Sequence, residues 1–282
     1  MLLSCVWFSP WTFGLFFAGV QAVMLREFYR IMRAGGYAPA AWIGIGAGSL
    51  LFLAIFIMCF GNAMYVNGVK GAFAASDLAP IFESIQPVII PLAAATLFLL
   101  PTVLIVREMR QWPQQKQPFT NISLTILGFI YITFPMSMLN TLAFIHNKGF
   151  FPQRVVALLF LIWASDIGAY IAGKSFGKRK MAPSISPGKT WEGWAGGFLL
   201  TLVIGWAMGY FLPDVPLTHR LAAAGVVAVF APLGDLAESM LKRSVGVKDS
   251  GTFLPGHGGL LDRFDAFLLV LPVLALLQLL AG

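Results

Sequence analysis

Acidic and basic side chains are concentrated near the C-terminal end of a chain that is otherwise largely apolar. Residues 234–265 hold five of the chain's twelve acidic residues and four of its basic ones. In order, these are Asp235, Glu238, Lys242, Arg243, Lys248, Asp249, Asp262, Arg263 and Asp265. Ionisable groups are costly in an apolar helix and usually line a cavity or a substrate path. The cluster therefore predicts a functional site that handles charge.

The first part of this cluster has helical spacing. Asp235, Glu238 and Lys242 stand at i, i+3 and i+7, and Ser239 joins them at i+4, so all four share one helix face. The alternative is an ordinary Glu238–Lys242 ion pair at the membrane surface. Asp262 and Asp265 are again three apart, at the predicted start of the last helix, where capping is the alternative role.

Carboxylates that converge from separate helices suit a hard cation. Mg²⁺ typically takes one or two carboxylates, several waters and substrate phosphates. We expect Asp235, Asp262 and Asp265 to be the metal ligands, with Asp249 as a weaker candidate. Asp166, in an earlier apolar run, is a second acidic candidate near this site, and a structural hydrogen bond is its alternative role.

Two polar segments could hold phosphate. In the glycine-rich loop 255–259, Gly258 and Gly259 would let backbone amides approach a phosphate closely. His257 is either a phosphate contact or an ordinary loop histidine. Segment 186–193 is predicted to be a polar turn before a membrane helix, and its Lys189 could bind an anionic group.

The whole composition indicates a polytopic membrane protein. Hydrophobic residues make up 58% of the 282 and charged residues 11%, against about 25% charged in soluble domains. We expect an all-α fold with about eight transmembrane helices, since about 20 apolar residues cross the bilayer. The predicted runs are 3–25, 40–60, 85–106, 122–145, 155–173, 193–212, 221–241 and 264–280.

Basic residues separate clearly between the loops on the two sides of these eight predicted runs. Loops 26–38, 107–120, 174–192 and 242–263 hold 15 of the 19 Lys and Arg. Cytoplasmic loops carry such an excess, so the C-terminal cluster is predicted to face the cytoplasm. The net charge of +7 is then mostly a topology signal, and we expect no nucleic-acid partner.

Several motifs resemble those of the phosphatidate cytidylyltransferases, also called CDP-diacylglycerol synthases. The resemblance covers about the last 120 residues and is densest over the 27 residues from Ser239 to Asp265. It is carried by Ser165-Asp166, Ser186-Pro187-Gly188-Lys189-Thr190, Gly234-Asp235, Lys242-Arg243, Lys248-Asp249 and Pro255-Gly256-His257-Gly258-Gly259, followed by Asp262-Arg263-Phe264-Asp265. Members of that family usually have one further N-terminal helix, so the chain is expected to begin after it.

The resemblance implies that CTP and phosphatidic acid give CDP-diacylglycerol and pyrophosphate, with Mg²⁺ or another divalent cation. It implies catalytic roles for Asp235, Asp262, Lys242, Arg243, Asp249 and His257. It implies substrate binding by Lys189, Ser186, Lys248, Gly258, Gly259, Arg263 and Asp166. Residues 1–150 would form scaffold helices, and residues 151–282 would form the catalytic region. The protein would lie in a bacterial inner membrane, and a homodimer is possible.

Two other functions remain at this stage. A CTP-dependent polyprenol or phytol kinase would also combine membrane helices with acidic metal sites. A secondary transporter could use Asp166 and Asp235 to couple ions, but transporters tend to show internal repeats. The sequence shows no repeat that links its two halves.

Overall fold

The computed structural model of the chain describes residues 2–67, 75–145, 149–251 and 258–280. Helices dominate this part of the chain. Their bounds are α1 Leu2–Phe8, α2 Pro10–Ala34, α3 Ala41–Asn67, α4 Ala75–Arg110, α5 Pro118–Gly128, α6 Phe134–Ala143, α7 Pro152–Phe176, α8 Trp191–Ala207, α9 Leu217–Ser244 and α10 Leu261–Leu280. A π-helical turn, Phe129–Thr133, joins α5 to α6, and a 3₁₀ turn, Met208–Tyr210, follows α8. The all-α prediction is confirmed.

Seven helical segments in the described residues are long and apolar enough to cross a membrane. They correspond to seven of the eight predicted runs. The remaining run, 3–25, falls on α1 and α2, which Ser9 separates. The Ser9 hydroxyl accepts a hydrogen bond from the Trp11 amide at 3.2 Å, and Pro10 fills the first position of α2. Serine caps and first-turn prolines are typical helix starts.

The chain divides into two compact units. Unit 1 comprises residues 1–151 and 259–261, and unit 2 comprises residues 152–258 and 262–282. The candidate site residues lie in unit 2, apart from Gly259.

Unit 1 is held together internally by an aromatic core and by neutral hydrogen bonds between helices. The rings of Phe13 and Phe56 both pack against Phe144. Gln21 Nε2 donates to Thr133 Oγ1 at 2.8 Å, and both side chains are buried. Since hydrocarbon offers no water to such groups, pairing them inside the protein is the stable arrangement.

Unit 2 is built on the close packing of α7 against α8. Small residues let helix backbones approach each other in a membrane. A methyl group added at Gly197 would lie 2.6 Å from the Ser165 carbonyl, and one at Gly168 would lie 2.8 Å from the Gly196 carbonyl. This packing fixes α7, which carries Asp166, beside the helix that follows Lys189.

A short β hairpin precedes α8, where the sequence was predicted to form only a loop and polar turn. Strands β3, Lys180–Ala182, and β4, Ser186–Thr190, pair antiparallel. A second small pair, β1 Phe144–Ile145 and β2 Gly149–Phe150, follows α6 in unit 1. Glu192 stabilises the β3–β4 hairpin, because its carboxylate accepts from the amides of Lys178 and Arg179 at 3.0 and 3.1 Å.

Candidate functional site

The predicted polar face of α9 is present in the structure. Ser239 Oγ donates to Asp235 Oδ1 at 3.2 Å, one helical turn away. Lys242 Nζ lies 2.5 Å from Glu238 Oε2, again one turn away. The i, i+3, i+7 spacing therefore does place Asp235, Glu238 and Lys242 along one polar face.

Lys242 also links α9 to α10. Its ammonium lies 2.5 Å from Asp262 Oδ1 as well as from Glu238. The alternative of a surface pair is wrong, because the Glu238 side chain is only 1% exposed and that of Lys242 is 12% exposed. Breaking such a buried ion pair by removing one partner is much costlier than breaking a surface pair.

Asp262 is held on both of its oxygens. Oδ1 forms an ion pair with Lys242 Nζ. Oδ2 accepts hydrogen bonds from the Ser250 hydroxyl at 2.9 Å and from the Ser250 amide at 3.2 Å. Gly258 has a left-handed φ of 80°, and a methyl group on it would lie 3.0 Å from Asp262 Oδ2. Glycine is therefore favoured at 258 both by its backbone conformation and by the space beside Asp262.

Lys189 brings the β3–β4 hairpin to the acidic face of α9. Its Nζ lies 2.6 Å from Asp235 Oδ2 and donates to the Pro232 carbonyl at 3.0 Å. The Asp235 side chain is 46% exposed, so this carboxylate remains accessible to a ligand. The predicted anion-binding lysine is thus fixed beside the predicted metal-binding aspartate.

Trp194 supports the segment of α9 that receives Lys189, a role the sequence analysis missed. Pro232 lies inside α9 and has no N–H for the carbonyl of Ala228, four residues earlier. The Trp194 indole N–H donates to that carbonyl at 3.1 Å. A proline within a predicted helix signals a carbonyl in need of a donor, but the sequence does not say which side chain supplies it.

Asp166 and Asp265 are two further carboxylates of unit 2. Both are coupled electrostatically to Asp235, which repels them, and to Lys189, which attracts them. Asp166 is exposed, whereas Asp265 is buried and accepts from the Ala266 amide at 2.6 Å. Gly234 lets α9 and α10 approach closely beside Asp265, because a methyl group at 234 would lie 2.6 Å from the Asp265 carbonyl oxygen.

The remaining predicted residues have fewer described contacts. Four of them, Arg243, Lys248, Asp249 and Arg263, are exposed. Arg243 Nη1 donates to the Val247 carbonyl at 3.3 Å. Ser186 pairs with Ala182 at the start of β4, and Gly259 is buried. His257 lies outside the described residues, so its role stays a prediction.

The predicted metal site would depend on few protein ligands. In the part of the chain that the structure describes, no group of three or more His, Cys, Asp or Glu side chains is arranged to hold a metal ion. Mg²⁺ needs only one or two carboxylates when phosphates and waters complete its shell. Both oxygens of Asp235 and both of Asp262 have partners within the chain. Asp235 fits the requirement better because its side chain is 46% exposed, against 17% for Asp262.

Comparisons with known proteins agree with these motifs. The model of the family described as "Cytidylyltransferase family" matches residues 1–280. The phosphatidate cytidylyltransferase of Bacillus subtilis (strain 168) is 53% identical over 116 residues, which are 40% of this chain and 43% of the relative. That of Staphylococcus aureus (strain COL) is 47% identical over 124 residues, 44% of this chain and 48% of the relative. The chain thus spans less than half the length of each of these relatives.

Proposed function

The chain belongs to the cytidylyltransferase family, and from this membership we propose that it transfers the cytidylyl group of CTP to phosphatidic acid. The products would be CDP-diacylglycerol and pyrophosphate. The relatives from Bacillus subtilis and Staphylococcus aureus are named phosphatidate cytidylyltransferases, after this reaction. Neither a polyprenol kinase nor a transporter is a cytidylyltransferase, so family membership favours the proposed reaction over both.

One structural observation carries the proposal: two lysines are each fixed by carboxylates in unit 2. Lys189 lies 2.6 Å from Asp235, and Lys242 lies 2.5 Å from both Glu238 and Asp262. A nucleoside triphosphate and a lipid phosphate are both strongly anionic. Two oriented cations, surrounded by acids that can bind a metal, suit the task of holding these anions together.

The chemical step needs little help from protein acids or bases. An anionic oxygen of the phosphatidic acid headgroup attacks the α-phosphorus of CTP and forms a new phosphorus–oxygen bond. The bond from that phosphorus to the bridging oxygen breaks in line, and pyrophosphate leaves with the electron pair. Catalysis of such transfers rests on positioning and charge stabilisation, which is the role proposed for Lys189 and Lys242.

Arginines and polar residues would assist these lysines. In the proposal, Arg243, Lys248 and Arg263 contact phosphate oxygens from the exposed side of the site, together with Ser186. Gly258 and Gly259 give the substrate access to backbone amides beside Asp262. Asp249 and His257 complete the proposed catalytic set, and Asp166 would orient Lys189.

A divalent cation, Mg²⁺ by preference, belongs to the proposal. Asp235 would hold it, with Asp262 and Asp265 as the further carboxylates. Bound there, Mg²⁺ would neutralise the triphosphate and stabilise the leaving pyrophosphate. The role of the chain itself is to keep Asp235 accessible and the lysines oriented.

The protein is an integral membrane protein, and we place the reaction at the cytoplasmic face of a bacterial plasma membrane. The support is the excess of basic residues in loops 107–120 and 174–192. Cysteines introduced at Gln115 and Ser184, after removal of Cys5 and Cys59, should resist an impermeant thiol reagent in intact cells. Labelling of either without permeabilisation would contradict this orientation. A homodimer remains compatible with the proposal.

The direct test is the incorporation of radiolabelled CTP into chloroform-soluble lipid by the purified full chain. Phosphatidic acid as acceptor should give CDP-diacylglycerol and an equal amount of pyrophosphate. Diacylglycerol, which lacks the attacking phosphate, is the matched control and should give no labelled lipid. A phosphorylated alcohol with release of CDP would identify a kinase instead, and no lipid product with either acceptor would refute the transferase.

A further inference from the structure

A groove along helices α3 and α4 of unit 1 has no part in the proposed reaction. It consists of two adjoining cavities of about 260 and 450 Å³, which share Ile43 and Val103. The first cavity is lined almost entirely by apolar side chains. These are Ile43, Ala47, Leu92, Ala95, Leu99, Leu100 and Val103, and Thr96 adds one hydroxyl group.

The end of the groove is different, because it is lined by Val106, Arg107, Arg110 and Gln111. Arg107 pairs with the buried Glu108, whose other oxygen accepts from Asn121 Nδ2 at 3.3 Å. Arg110 is exposed and has no acidic partner within the described ranges. No acidic residue lines either cavity among the residues that the structure describes.

The apolar part of the groove is about as long as one leaflet of a bilayer is thick. From Leu92 to Val103 the helix rises about 17 Å, at about 1.5 Å per residue. Half of the hydrocarbon thickness is about 15 Å. The apolar part can thus accommodate an acyl chain while the arginines remain at headgroup level.

We propose that this groove binds one phospholipid of the bilayer whose headgroup carries a net negative charge, as in phosphatidylglycerol. The phosphate lies against Arg107 and Arg110, and an acyl chain follows α4 towards Leu92. In this proposal the lipid is distinct from the substrate, because neither Lys189 nor Lys242 lines the groove.

Native mass spectrometry of the purified full chain tests the headgroup. Phosphatidylglycerol should bind at least about tenfold more tightly than phosphatidylcholine of the same acyl chains, since hydrogen bonds to charged groups are worth at least that factor. Arg110→Gln should remove most of this preference. Lys116→Gln, an exposed cation outside the groove, is the matched control and should leave it unchanged. Equal binding of the two lipids, or an equal loss in both variants, would overturn the proposal.

A second pair of variants tests the acyl channel. Ala95→Phe places a ring in the groove and should weaken phosphatidylglycerol binding about tenfold, the size of effect that a few blocked methylenes would give. Leu97→Phe adds bulk to an exposed position outside the lining and should have no effect. If Ala95→Phe instead converts a dimer into a monomer without changing lipid binding, a second copy covers this face and the proposal fails.

A third variant separates this groove from the proposed reaction site. Lys189→Gln should abolish CTP-to-lipid transfer and leave phosphatidylglycerol binding intact. Loss of phosphatidylglycerol binding in Lys189→Gln would place that lipid in unit 2 and refute the groove. Because binding is measured without CTP, the result does not depend on whether the transferase proposal holds.

Discussion

Units 1 and 2 bury polar side chains in different ways. In the core of unit 1, neutral groups pair: Gln21 with Thr133 at 2.8 Å, and the Tyr29 hydroxyl with the Thr125 carbonyl at 2.9 Å. The ion pair Arg107–Glu108 of this unit joins adjacent residues of one helix rather than two helices. In unit 2, lysines pair with carboxylates around Asp235 and Glu238. Neutral hydrogen bonds hold membrane helices together at low cost, whereas ions must be desolvated. Ion pairs between helices therefore cost more free energy than neutral pairs, and they are expected where the reaction needs charged side chains.

Removal of divalent metal should have the largest effect and should act on unit 2. EDTA is expected to abolish CTP-to-lipid transfer, because the triphosphate charge is then no longer neutralised, and Mg²⁺ should restore it. Helical content by circular dichroism should stay the same. Full turnover in the presence of the chelator would mean that Lys189 and Lys242 suffice without a metal.

Asp235→Asn and Asp262→Asn should each lower turnover at least about a hundredfold, roughly 2.7 kcal/mol of barrier. Each change removes one charge and keeps the shape of the side chain. Asp214→Asn, in an exposed turn of the same unit, is the matched control and should be neutral. If either variant retains more than about a tenth of wild-type turnover, the substituted residue is not a metal ligand.

Glu238→Gln tests the buried ion pair. Lys242 keeps Asp262 as a partner, so the loss is one charged hydrogen bond, worth about 2 kcal/mol of stability. Unfolding in a detergent titration measures this loss. Glu192→Gln, at a partly solvated carboxylate in the first turn of α8, serves as the comparison. A loss below about 0.5 kcal/mol, the range of surface pairs, would contradict the burial of this pair.

Trp194→Phe should have a smaller and more specific effect. The ring remains, but the Ala228 carbonyl loses its donor and α9 relaxes beside Lys189. We expect the KM for CTP to rise about tenfold, equal to about 1.4 kcal/mol, while kcat changes less. Trp206→Phe, an exposed tryptophan of the same helix, should change neither constant. If kcat falls and KM is unchanged, Trp194 does not position Lys189.

Thr133→Val should have the smallest effect, and it tests unit 1. Gln21 loses its partner, which costs about 0.6 kcal/mol for an average hydrogen bond between membrane helices. Transfer activity should not change. Thr201→Val, in which the lost hydroxyl bonds to the Gly197 carbonyl of its own helix at 2.7 Å, is the control. A large loss of activity in Thr133→Val would mean that the neutral bonds of unit 1 also serve catalysis.

Local patterns predicted most of the polar face of α9 correctly. The spacing of Asp235, Ser239, Glu238 and Lys242 depends only on helical geometry, so it was accessible from the sequence. Apolar runs of sufficient length likewise predicted seven of the spans. Ser9-Pro10 interrupts the first apolar run, and a serine followed by a proline is a typical helix start, so the break between α1 and α2 was also accessible from the sequence.

Contacts between distant segments could not be predicted in the same way. Strand β4 contains Pro187 and Gly188, residue types that are depleted in strands, so the hairpin was not expected. The bond from Lys189 to Asp235, 46 residues later, depends on how that hairpin packs. The resemblance implied a catalytic role for Lys242. Its simultaneous contact with Glu238 and Asp262 could not be predicted, because that contact depends on where α10 lies relative to α9.

The double attachment of Lys189 also has a consequence for substrate affinity. A lysine side chain carries about 2 kcal/mol of rotamer entropy, which a free, flexible lysine would lose on meeting a phosphate. Here Asp235 and the Pro232 carbonyl already restrict Nζ. Much of that freedom is therefore lost during folding rather than during binding, and preorganised groups of this kind bind their ligands more tightly.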